Sequence, residues 1–416
     1  MPYEMEEQEA IGRRIRRRRL AIGMTQADMA SALGKTQGWL SRVERGQIEL
    51  DRAALINQIA SVLHCHPNHL IGRPYLAVSG GNKWQVSAAA TVRELRRYDL
   101  APVFTGTPRS SAELWSDMRR LYRLRDAAAY TATLQEMPDL LREVRALVEV
   151  STGHEQEEAF ALYAVLCKDT HRVAHALGHA ELVAVAGERV QWAAERSGDP
   201  LMSAVATYMR VWDTWTTADW EDGMVLADRA LSGIEQLTDA DDPKALRVGG
   251  MLHLRAAITA ARGNGFERAQ DRVGLAREMA ARLEQVEEPV FDRYSLNFSS
   301  GNVTIHGIAI AVEAGDQVKA LELNDQADQH AIDALPHSRS GHHHMDLSRA
   351  LLWNGNRDKA LDELLKAERL APQLVRNHPI ARATLRQIVY AERASTREKL
   401  RGMSSRFHLD DQDVFV

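Results

Sequence analysis

Cysteine is almost missing from this chain: Cys65 and Cys167 are the only two in 416 residues. They are far apart and have no partner at metal-ligand spacing, so neither a disulfide scaffold nor a cysteine-based zinc site is available, and a reducing cytoplasm is the expected compartment. Long apolar runs are also missing. No stretch of about eighteen apolar residues occurs, and the first residues are acidic rather than basic and then apolar, so neither a membrane partner nor a secretory leader is expected. Catalytic signatures are lacking as well: there is no phosphate-cradling Gly loop ending in Lys-Ser/Thr, no Gly-x-Ser-x-Gly and no His-Glu-x-x-His. The chain is therefore not expected to be an enzyme or to carry a cofactor.

What is present is length, asymmetric charge and helical periodicity. At 416 residues the chain exceeds one ordinary core, so two or more units are expected. The net charge is only −5, yet Ile11 to Arg52 carries about +6, leaving −11 for the rest. A basic head on an acidic body suits a head that alone meets phosphates. The dominance of Arg over Lys, with abundant Ala and Leu, fits a helical protein of a GC-rich bacterial genome.

In the head, Ile11, Ile15 and Leu20 recur at near-helical spacing among Arg13, Arg14 and Arg16 to Arg19, which predicts a helix over Glu6 to Ala21 with one packed and one basic face. Thr25 is placed to cap a second helix whose buried stripe is Met29, Ala30 and Leu33. Gly34 supplies the turn. Thr36 is placed to cap a third helix in which Leu40 and Val43 point inward, so Gln37, Gly38, Ser41 and Arg42 point outward. Outward Gln and Arg can pair bidentately with adenine and guanine, each at about 1–3 kcal/mol of discrimination. Asp51 is expected to cap a fourth helix through Leu63, and Pro67 to open a short fifth ending near Gly72.

These residues, Thr25-Gln26, Ala30, Leu33-Gly34, Gln37, the run Leu40 to Gly46 and His66-Pro67, resemble the Cro/C1-type (XRE) helix-turn-helix family over roughly 8–73. The resemblance implies that Gln26 meets backbone phosphate and orients the reading helix, that Gln37, Gly38 and Arg42 face base edges, and that Glu44 and Arg45 tie that helix to its neighbours. The resulting DNA-contact set is Gln26, Thr36, Gln37, Gly38, Trp39, Ser41, Arg42 and Arg45. Gly38 removes a side chain where many relatives carry a polar one. Trp39 replaces a small residue and either packs or touches a sugar or thymine methyl.

Beyond the head (1–73), Pro, Gly and Ser mark a linker (74–90), followed by a helical connecting region (91–154) with a second break from Ala101-Pro102 to Thr107-Pro108. From 155 to 378, small residues recur after turns. Aligning Val183, Gly223, Ala269, Ala320 and Ala360 gives spacings of 40, 46, 51 and 40 residues. A period in this range, with a helix on either side of each turn, signals stacked helical hairpins that cover one another's apolar faces. A C-terminal helix and tail (379–416) follow. The expected fold is all-α: a five-helix head and a right-handed superhelical stack.

The repeats resemble the tetratricopeptide family, although they are longer and keep its aromatic positions poorly. The head and body together resemble peptide-sensing bacterial regulators of the Rgg, PlcR and PrgX type and the large multi-repeat regulators of actinobacteria. That resemblance implies a double-stranded DNA partner, a homodimer, and a repeat concavity that takes a small-molecule or peptide effector. On the alignment, the first helix of each pair presents Lys168, Arg172 and His175; Tyr208, Trp212 and Trp215; Arg262; Asn302; and His342 and Arg349 inward. Such aromatic walls with scattered cations suit a peptide backbone, a carboxylate or a planar metabolite, though the tryptophans equally suit packing between helices. His171, His175 and His179 share one helical face but span about 12 Å, too far for one ion, so no metal is expected. The alternative to a ligand-sensing regulator is a protein-binding repeat scaffold that its head tethers to DNA.

Overall fold

The computed structural model describes residues 11–390 apart from 49, 51–52, 66–69, 71–82 and 287–290, together with Met403, Arg406 and Phe407. The described residues form helices and no strand, so the fold is all-α. A small apolar core built from Ile11 to Leu70 is separate from a large one that runs from Ala88 to Phe407.

The small core is covered by α1 (Ile11–Ala21), α2 (Gln26–Ala32), α3 (Gln37–Glu44) and α4 (Ala53–Val62). Thr25 starts α2 through a reciprocal capping box: its Oγ1 accepts from the Asp28 N–H at 3.1 Å, and the Asp28 carboxylate accepts from the Thr25 N–H at 3.4 Å. Gly34, at φ +63°, takes the left-handed conformation that ends this element. Thr36 Oγ1 then accepts from the Trp39 N–H at 3.1 Å and opens α3. At Gly12, α1 crosses α3 so closely that a Cβ would lie 2.0 Å from the Val43 carbonyl oxygen.

One expected core residue is misplaced. Leu20 is 58% exposed, because the buried row of α1 runs at i, i+4 and i+8 through Ile11, Ile15 and Arg19. The expected helix start at Glu6, the Asp51 cap, the short helix from Pro67 to Gly72 and the linker up to residue 82 lie outside the described residues. From 83 onward the expected linker is instead helix: α5 (Lys83–Arg96) buries Ala88, Val92 and Leu95 at i, i+4 and i+7. Before residue 91 that stripe holds only Trp84, half-buried against the same core, and Ala88, too few to mark a helix from sequence.

Helices α6 (Ser111–Asp126) and α7 (Tyr130–Val150) share the large core with everything after them. The region 91–154 therefore opens the stack. Five hairpins follow: α8 (His154–Leu177) with α9 (Ala180–Ala194), α10 (Pro200–Thr217) with α11 (Trp220–Gly233), α13 (Pro243–Arg262) with α14 (Phe266–Leu283), α15 (Ser300–Ala314) with α16 (Gln317–Asp325), and α18 (His337–Trp353) with α19 (Arg357–Leu370). Each turn holds a residue at positive φ: Gly178, Ala218, Asn264, Gly315 and Gly355. The aligned small residue is the fourth of each second helix, where the partner helix crosses closely. A Cβ on Gly223 would stand 2.7 Å from Thr214 Oγ1.

The irregular spacings have structural causes. The short α12 (Glu235–Asp239) lengthens one repeat to 46 residues, and a long segment before Ser300 lengthens the next to 51. After α16 come α17 (Gln329–Asp333) and α18; α20 (Pro372–Asn377) and α21 (Pro379–Tyr390) close the stack.

Candidate DNA-reading helix and inner-face cluster

Two surfaces gather the chemistry-bearing side chains. On α3, Leu40 and Val43 are fully buried while Thr36, Gln37, Gly38, Arg42 and Arg45 are exposed and Ser41 is half-buried. The helix is fixed from beneath. Arg19 Nε and Nη2 donate to the two Glu44 carboxylate oxygens at 2.5 and 2.9 Å, and Gln26 Nε2 donates to Glu44 Oε2 at 2.8 Å. One carboxylate thus ties α3 to α1 and α2 through a bidentate, charge-assisted pair. Arg45 makes no such tie: its Nε turns back to the Ser41 carbonyl at 3.2 Å and the side chain stays exposed. Trp39 packs half-buried against the head core with Lys35 Nζ 5.8 Å from its ring centroid.

Part of the basic face of α1 is engaged with the protein itself. Arg18 donates to the carbonyls of Leu63 and His64 at 3.1 and 2.8 Å, and Arg14 donates to that of Leu70 at 2.6 Å. The Arg18 guanidinium thus satisfies carbonyls where α4 ends. Sequence spacing could not separate Arg14 and Arg18 from solvent-facing arginines.

In the body, first helices of successive hairpins supply one inner face. His175 of α8 stacks on Trp212 of α10, with centroids 4.1 Å apart. Arg255 of α13 lies over Tyr208, Trp212 and Trp215 at 4.1, 4.7 and 4.9 Å, and Arg262 lies over Trp215 at 4.2 Å. Trp215 Nε1 donates to Thr259 Oγ1 at 2.9 Å. His342 of α18 meets His378 edge to face at 5.4 Å.

Three of the residues aligned on this face are committed elsewhere. Lys168 is fully buried, donates to the Tyr294 carbonyl and pairs with Asp169, which also accepts from Arg125. Asn302 is fully buried and donates to the Asn297 carbonyl at 3.0 Å. Arg349, 1% exposed, pairs with Asp346 and lies 3.5 Å from Glu313. Arg172, His175, Tyr208, Trp212, Trp215, Arg262 and His342 remain on the inner face. Arg255, Arg339, His306 and His378 join them, and the first two carried a sequence signal: Arg255 stands seven residues before Arg262 and Arg339 three before His342, each on the same helical face.

The electrostatics follow from burial among arginines. Burial pushes His306 down to about 3 and His378 to about 4, and holds His175 and His342 well below the ordinary imidazole range, so all four are neutral at pH 7. Burial by itself would raise the Tyr208 hydroxyl, but Arg255, Arg339 and Arg172 outweigh it and draw it down to about 8. The three histidines spaced by four on α8 and its turn have separate partners. His171 Nε2 meets Asp213 at 2.9 Å, His175 stacks on Trp212, and His179 Nδ1 accepts from the Leu182 N–H at 3.2 Å.

Residues 10–70 match the family described as "Helix-turn-helix domain". With the capped α2, the Gly34 turn and the exposed row of α3, the head is of the helix-turn-helix class, a DNA-binding module that sets its second helix in the major groove. No curated protein matches the chain. Among solved structures, Bacillus thuringiensis PlcR in complex with the peptide PapR7 and DNA is similar at 14% identity over 78% of this chain and 98% of that one, with a TM-score of 0.26. A superposition that loose transfers neither ligand nor DNA placement. Among the described residues no helix is long and apolar enough to cross a membrane.

Proposed function

We propose that this chain is a sequence-specific transcriptional regulator, cytoplasmic and homodimeric, whose repeat body senses a small molecule or short peptide and sets the spacing of two heads. It acts without catalysis. The observation that carries the reading is α3 itself: a polar row, Gln37, Gly38, Ser41 and Arg42, opposite the buried Leu40 and Val43, on a helix locked by the Arg19–Glu44–Gln26 network. A single head of this size contacts few bases, so paired heads reading half-sites about one turn apart are the expected mode. The aromatic and cationic inner face supports the sensing role.

Replacing Arg42 by Ala should cost about 1–3 kcal/mol of operator binding and relax specificity at one position while leaving the fold intact. Footprinting on genomic sites selected by the native protein measures this, and an unchanged footprint sinks the assignment of α3 as reader. Replacing Trp212 and Trp215 together by Ala should weaken the response of operator binding to culture extract without changing binding in its absence.

A further inference from the structure

The inner face holds more positive charge than it neutralises. Asp169 is taken by Arg125 and Lys168, and Glu313 and Asp346 lie with Arg349. Among the described residues, Arg172, Arg255, Arg262 and Arg339 have no carboxylate within 4 Å, although Asp169 bears on Arg172 and Glu313 and Asp346 bear on Arg262 from farther off. Arg172 Nη1 donates to the Ser295 carbonyl at 2.9 Å, while the buried Nε atoms of Arg255, Arg262 and Arg339 have no hydrogen-bond partner.

Arg255 of α13 lies over the Tyr208 ring of α10 at 4.1 Å, and the charges of Arg172 on α8 and Arg339 on α18 bear on the same hydroxyl; Arg339 and Arg255 also bear on His306 of α15. Positive charge carried on α8, α13 and α18 thus bears on groups of α10 and α15. The inner-face imidazoles His175, His306, His342 and His378 are uncharged, and the rings of Tyr208, Trp212 and Trp215 lie against Arg255.

Like charges gathered in a poorly solvated interior repel, and Arg255, Arg262 and Arg339 each leave a buried donor unmade. Aromatic faces and the Tyr208 hydroxyl offset part of that cost for Arg255, but its Nε stays without a partner. An oxyanion removes both costs, because the planar guanidinium fork matches a carboxylate or a phosphate.

We propose that the inner face of the repeat body binds an oxyanion-bearing ligand, its carboxylate or phosphate seated between Arg172, Arg255 and Arg339 with Trp212 and Trp215 beside it. This rests on the sensing role proposed above and narrows its ligand to an anion.

The test uses the full chain in chloride buffer of fixed ionic strength, with thermal midpoint and tryptophan fluorescence as readouts. The probes are citrate, inorganic phosphate, and the tripeptide Leu-Leu-Phe with a free or an amidated C-terminus. At least one anionic probe should bind saturably and raise the midpoint, and the arm that does so separates a metabolite carboxylate, a phosphate and a peptide terminus. Arg339→Gln should weaken that binding at least about ten-fold, the loss of a charged hydrogen bond. Without any probe, Arg339→Gln should hold or raise the midpoint, because it relieves repulsion. The exposed Arg277→Gln should leave binding unchanged.

A ligand-free midpoint that falls by more than about 4 °C in Arg339→Gln would make the arginine a structural element and overturn the proposal. So would the absence of saturable binding by every anionic probe. If the amidated peptide binds as well as the free one and Arg339→Gln is neutral, the anion site falls while the sensing role stands. If, in addition, the Trp212/Trp215 double variant responds normally to extract, the sensing role falls too.

Discussion

Arg19 and Glu44 are buried together, at 5% and 3% exposure, and neither can be removed alone without stranding the other's charge. Glu44→Ala should destabilise the head by on the order of 3–5 kcal/mol, read as a lowered denaturant midpoint for the unit carrying Trp39. At the inner face, Tyr208 has an ordinary value near 10 and a folded one of about 8. Because the folded value is the lower, the stabilisation it gives is complete above about pH 10 and fades as pH falls through 8. Ionised Tyr208 also offsets one guanidinium, so anion affinity should fall between pH 7 and 9. Tyr208→Phe should flatten that profile, and titrations at several pH values measure it. Sequence spacing found Tyr208 and Arg172 but also selected Lys168 and Asn302, which are fully buried and donate to backbone carbonyls, Lys168 pairing with Asp169 as well. Direction along a helix is legible from periodicity; which inward groups are left unpaired is not.

At the scale of elements, the hairpin turns were readable because a left-handed position and a small fourth residue recur for steric reasons. The segment 291–299 was not, though the 51-residue repeat contained it. Its backbone lies across the stack, with the Tyr122 hydroxyl donating to the Arg293 carbonyl at 2.8 Å, Arg172 to the Ser295 carbonyl, and Arg125 to Ser295 Oγ at 2.6 Å. Phe298 anchors it against Gly250 of α13, where a Cβ would meet the ring at 2.1 Å. Gly250→Ala should displace that ring at a cost of about 1–3 kcal/mol and expose the segment to limited proteolysis. Protease resistance equal to that of the native chain would show that the ring repacks in place.

At the scale of the molecule, two cores imply two responses to acid. His175, His306, His342 and His378 are neutral in the folded body with values depressed by burial. The stability they confer is therefore complete above about pH 6.5 and lost as pH falls toward about 4 and 3, at roughly 1.4 kcal/mol per pH unit for each imidazole that must charge. Calorimetry should show the body transition moving down between pH 6.5 and 4 more steeply than the head transition.

The sequence by itself determined the all-α class, the capped turn between α2 and α3 with its outward polar row, and the hairpin register of the body. These depend on local periodicity, caps and turn sterics, which a short window of residues contains. It did not determine that Arg19 would replace Leu20 in the head core, because an i+8 arginine is buried only when Glu44, twenty-five residues on, is brought beneath it. Nor did it determine that the charges of Arg172, Arg255 and Arg339 would bear on one hydroxyl. Only the stacking of separate hairpins brings helices from residues 154 to 353 together, and only there can charge without a close carboxylate accumulate.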